Sequence, residues 1–145
     1  MENLVRRLVL LSVVIVVATG CGSMTYRPVQ EADFDRLVSD GCMQAGDRFA
    51  VTAQVNSASR ETVVLWDGSD GSRSVAVRLP KQGFGSRMQD KVGQSRYELA
   101  FDQLNALRAR GAPVTFTMRC EAAGMAPAAD RFSYIESGQR VQYEF

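Results

Sequence analysis

The chain has 145 residues, 46% apolar and 23% charged, with a net charge of +1. That is the length and composition of one ordinary globular domain, and it excludes a disordered chain or a binder of nucleic acid by bulk charge. It contains no His and only three Cys. Ser-His-Asp and Cys-His catalysis, His-ligated zinc and an all-cysteine zinc site are therefore excluded, and neither metal nor cofactor is expected.

Arg6 and Arg7 precede an apolar run over 8–18 that is interrupted only by Ser12. Eleven residues fall short of the ~20 needed to cross a bilayer and match the apolar region of a signal peptide. The segment Ala18-Thr19-Gly20-Cys21 follows. It resembles the lipobox of bacterial lipoproteins, although Leu is the commoner residue at the place of Ala18. The resemblance covers residues 1–21 and implies cleavage before Cys21, a diacylglycerol thioether on Cys21 and acylation of its new amino group. Two or more acyl chains give stable attachment, so the membrane is an expected partner. Gly22 replaces the Asp that favours inner-membrane retention. The resemblance thus implies a lipid anchor in the outer membrane, facing the periplasm, with an inner-membrane or cell-surface lipoprotein as the alternative. An ordinary secreted protein cut near Gly20 is the other reading. Loss of Glu2, Arg6 and Arg7 leaves 15 basic and 15 acidic residues, so recognition by charge has to be local.

Residues 21–30 carry Gly, Ser, Thr and Pro without periodicity and read as a tether. Residues 31–40 predict a short helix, with Phe34, Leu37 and Val38 on one face and Gly41 as its stop. Phe49, Val51, Ala53 and Val55 then alternate with polar neighbours as a half-buried strand does. A second strand is predicted at 62–66 and a third at 75–79, joined by two Asp-Gly turn signals and ended by Pro80. The Gly-bearing segment 81–94 reads as a loop. Ser95 and Glu98 form a capping box for a helix over 95–110, stopped by Gly111, although Tyr97, Leu99 and Phe101 also allow a strand over 96–101. A fourth strand over 114–120, a loop over 121–129, and strands over 132–135 and 141–145 about a Ser137-Gly138 turn complete the chain.

Three strands, a helix and two further strands resemble the OB-fold, a small, partly open β-barrel with its helix between strands three and four. The resemblance is architectural and spans 47–145. The expected domain, 31–145, is mainly β (α+β): an OB-like antiparallel barrel of five to six strands with one helix between strands three and four and a short N-terminal helix. An α+β fold with its helices on one face of an antiparallel sheet is the alternative. In an OB-type barrel strands one and four pair, which brings Cys42 and Cys120 side by side and makes a disulfide plausible; two buried free thiols are the alternative.

Six basic residues, Arg73, Arg78, Lys81, Arg87, Lys91 and Arg96, lie between 73 and 96 against one acid, Asp90. With Trp66 as a stacking platform, Arg73, Arg78, Lys81 and Arg87 could grip a glycan or another polyanion. The competing readings are a solvated basic face and a packing role for Trp66. The carboxylates Glu61, Asp67, Asp70 and Asp90 have no spacing that fixes a catalytic pair, and Asp67 and Asp70 suit turns. The sequence therefore predicts a non-enzymatic, membrane-anchored envelope component that binds another envelope protein, with a glycan- or polyanion-binding module as the alternative.

Overall fold

The computed structural model describes residues 25–68, 73–80 and 96–145. Among them are seven strands and two helices: β1 (Val29–Glu31), α1 (Phe34–Asp40), β2 (Arg48–Ala58), β3 (Thr62–Trp66), β4 (Ser74–Arg78), α2 (Arg96–Arg110), β5 (Pro113–Arg119), β6 (Ala128–Glu136) and β7 (Gln139–Glu144). The fold is mainly β. The pairings run β2-β3-β4-β6-β5 and return to β2, so the hydrogen-bonded strands close into a ring, with β1 beside β2 and β7 beside β6.

The expectation of five to six antiparallel strands is corrected on two points. The described residues form seven strands, and the pairs β1–β2 and β4–β6 are parallel. β1 carries no alternation because all three of its residues are exposed. It is recruited through its backbone, which pairs Val29, Gln30 and Glu31 with the start of β2. Val29 and Gln30, the last residues of the expected tether, are thus part of the sheet. Glu31 likewise leaves the expected helix: α1 starts at Phe34, where the Asp33 carboxylate caps the Arg36 amide at 2.8 Å.

β2 is longer than its alternation suggested. Phe49, Val51, Ala53 and Val55 point inward as expected, and a bulge between Val55 and Ser57 lets the strand bend from β5 toward β3. The helix reading of residues 96–101 prevails over the strand reading. In α2, Tyr97, Ala100, Leu104 and Leu107 are buried at helical spacing, while Leu99 is exposed. β6 begins at Ala128, inside the expected loop, because Ala128 and Ala129 are small enough to lie buried against β4 and β5. Ser137 and Gly138 both have positive φ, 50° and 78°, as a tight hairpin turn requires. The ring is filled by Leu65, Leu104, Leu107, Phe116, Met118 and Phe132, all fully buried. Cys42 and Cys120 stand at disulfide distance, 2.06 Å between sulfurs, and join the loop after α1 to the end of β5.

Candidate functional site

Register decides which of the expected site residues meet. Trp66 closes β3 opposite Gln54 and Ser74, whereas Arg78 lies at the far end of the β3–β4 ladder, opposite Thr62. Trp66 and Arg78 therefore do not share a subsite. Trp66 faces away from the buried Val63 and Leu65. It is only partly exposed, and its indole N–H is buried with no acceptor among the described residues. Arg73 is held by Asp35 of α1 and lies 3.9 Å from Asp67. Lys81, Arg87, Lys91, Asp70 and Asp90 lie outside the described residues, and Cys21 does too.

Arg78 belongs to a different constellation. Its Nε–H donates to the Ala126 carbonyl at 3.0 Å and its Nη2–H to Glu121 at 2.8 Å. Glu121 also accepts from Arg119 at 3.4 Å, and Arg119 in turn pairs with Asp130, which lies 3.5 Å from Arg48. The order Arg78–Glu121–Arg119–Asp130–Arg48 alternates in sign along one edge of the ring. It has a local cause. Arg48 and Arg119 are direct cross-strand neighbours, a repulsive pairing that Asp130 relieves by accepting from both. The hydrogen bond from Arg78 holds the Glu121 carboxyl below the usual carboxylate range, with the charges of Arg78 and Arg119 adding to the effect. Glu121 is thus an ion at neutral pH and cannot donate a proton as a general acid.

Beside this ladder lies a cavity of about 490 Å³ between the β2–β3 loop at 59–61 and the β5–β6 loop at 120–127. Arg60, Arg78 and Arg119 line it together with Glu61 and Glu121. Arg60 makes no ion pair among the described residues, and its carbonyl accepts the Tyr97 hydroxyl, which ties the loop to the start of α2. Burial raises the Tyr97 pKa, and that phenol stays a donor at neutral pH. Of the expected ligand residues only Arg78 is placed here. Arg60, Arg119 and Glu121 were not singled out from the sequence, because nothing in it joins residues 60, 78 and 121 before the parallel contact of β4 with β6 is known. The one available signal was the polar face of the 114–120 strand, where Thr115, Thr117 and Arg119 alternate with buried neighbours.

A smaller cavity of about 240 Å³ lies between the β1 strap and α1, floored by Leu37 and Phe49 and rimmed by Arg27, Arg36 and Met43. Among the described residues no cluster of His, Cys, Asp and Glu could hold a metal ion, and no helix is long and apolar enough to cross a membrane. No protein-family model, curated protein or solved structure matches this chain.

Proposed function

We propose that the chain is a lipid-anchored, non-enzymatic envelope protein whose OB-like barrel binds another protein at the cavity between loops 59–61 and 120–127. Counted from β2, the ring order is one-two-three-five-four-one, with α2 between the third and fourth strands. That order supports an OB-like barrel over helices laid on one face of a sheet, and loops at such positions are where this architecture takes ligands. The observation that carries the reading is the mixed charge of the cavity: three arginines and two glutamates in one hollow. A protein surface can answer both signs, whereas a polyanion meets Glu61 and Glu121 as repulsion. The test is in-cell cross-linking from a photoreactive residue at Arg60, with one at Arg140 as control. A stoichiometric protein captured from position 60 alone is the expected result. No capture above background, or unchanged composition of every envelope complex when the protein is deleted, overturns the reading.

The convergence of Arg60, Arg78 and Arg119 favours one second reading, a site for an anionic glycan or other polyanion. Its mark is affinity that falls steeply with salt and is lost in Arg78→Glu. Binding indifferent to both removes it.

A further inference from the structure

The chain enters the domain at one end and is fastened there. The Arg27 amide donates to the Gly46 carbonyl and the Gly46 amide to the Cys120 carbonyl, both at 2.8 Å. Cys120 is joined to Cys42, whose carbonyl accepts the Gly124 amide at 2.8 Å. The Thr25 carbonyl runs so close over Gly46 that a Cβ there would lie 2.9 Å from it. From Thr25 onward the backbone therefore belongs to the domain, against loops 41–47 and 120–127. Four residue steps separate Cys21 from Thr25, a reach of at most about 14 Å. The headgroup layer takes up about 5–8 Å of that on each side of a bilayer. A lipid on Cys21 then leaves this end of the domain at most about 6–9 Å of clearance above the headgroups.

The same end carries exposed apolar side chains: Tyr26 at 38%, Met43 at 64% and Met125 at 44% exposure. Met43 and Met125 each follow a residue of the Cys42–Gly124 hydrogen bond. We propose that loops 41–47 and 120–127, with Tyr26, form a membrane-contact surface that rests in the headgroup region of the bilayer holding the anchor. The inference rests on the reading of Cys21 as the lipidated residue. A tyrosine with its polar tip and two flexible apolar chains suit that boundary layer. The contact is apolar rather than electrostatic. Arg27 is already paired with Asp47 at 2.6 Å, and Asp40, which lines the same hollow, opposes attraction to anionic lipid. The Arg60–Glu121 cavity shares loop 120–127, so a protein partner meets it close to the bilayer.

The test uses the full-length lipidated protein with a single Trp: Trp66→Phe combined with Met43→Trp, with Met125→Trp, or with Ile135→Trp as control. Ile135 is 64% exposed and lies near the hairpin turn, at the opposite end of β6. In phosphatidylcholine vesicles whose acyl chains are brominated near the headgroup, the Trp at 43 and at 125 is expected to blue-shift and lose emission. The Trp at 135 is expected to do neither, and added phosphatidylglycerol to leave the pattern unchanged. Lipid on Cys21 by intact mass with quenching at 43 and 125 no greater than at 135 overturns the contact surface alone. Quenching that appears only with anionic lipid overturns its apolar character. A bare Cys21 overturns the anchor and the surface together.

Discussion

The ring is closed by two unlike seams. Between β2 and β5 seven consecutive positions pair, from Arg48 opposite Arg119 to Gln54 opposite Pro113, over the inward row Phe49, Val51, Phe116 and Met118. Between β4 and β6 one position pairs, Arg78 opposite Ala128. There the Arg78 amide donates to the Pro127 carbonyl, and its guanidinium holds Glu121 and the Ala126 carbonyl. A long seam is held by its backbone ladder and by buried apolar area. A short seam depends on one side chain bonding both walls, and it is the seam that borders the charged cavity. The hollow and the weak pairing share a place, because a full ladder there would close the space between the two loops.

The long seam should break most expensively. Phe116 is fully buried and registers with Val51 on one side and Phe132 on the other. Phe116→Ala should cost about 3–5 kcal/mol in urea unfolding, with a lower midpoint and unchanged slope. Replacing Cys42 and Cys120 together by Ala releases a bridge across 78 residues at the end of the same seam and should cost about 2–5 kcal/mol, read as a lowered Tm. A Tm unchanged by the double replacement would show that the ladder holds that end by itself.

At the short seam the loss should be smaller and local. Arg78→Ala removes two hydrogen bonds at a half-exposed site and should cost about 1–2 kcal/mol. Amides of residues 76–79, 128 and 129 should exchange faster while those of β2 and β5 keep their protection. Acid should act on the same seam. The folded-state pKa of Glu121 lies below its unfolded value, so its contribution is complete above the unfolded pKa, about 4.3, and is lost as pH falls through the folded pKa. Glu121→Gln should therefore be less stable than the parent at pH 7 and converge on it as the pH falls below the unfolded-state pKa and through the folded one. Smallest of all, Arg73→Ala removes an exposed ion pair with Asp35 and should change stability by no more than about 1 kcal/mol. A larger loss would mean that α1 is held to β4 chiefly by that pair.

Strand positions were readable where one face is buried. Phe49 to Val55 and Val114 to Met118 show the period of two that burial on one face imposes, the 62–66 strand shows a continuous apolar run, and the inward residues Phe49, Val51, Ala53, Val55, Val63, Leu65, Val114, Phe116 and Met118 are buried. β1 was not readable, because a strand exposed on both faces leaves no apolar pattern. The start of β6 was hidden for the opposite reason: alanines, glycine and proline resemble a loop until a neighbouring strand buries them. The candidate site was less legible than the fold. Arg78 was visible as one basic residue among several, but its partners Glu121 and Ala126 lie more than forty positions away and become neighbours only when β4 meets β6.

What the sequence determined by itself is local: the alternating strands, the glycine and Asx punctuation, the helical spacing of Tyr97, Leu104 and Leu107, and the Ala-Thr-Gly-Cys segment that resembles a lipobox. These follow from the side chains of a few consecutive residues. Tertiary structure alone decided the closure of the ring, the separation of Trp66 from Arg78 and the alternating ladder that ends at Arg48. Each of these depends on which strands pair and in what register. A shift of one residue there turns every side chain to the other face, and no local pattern records it.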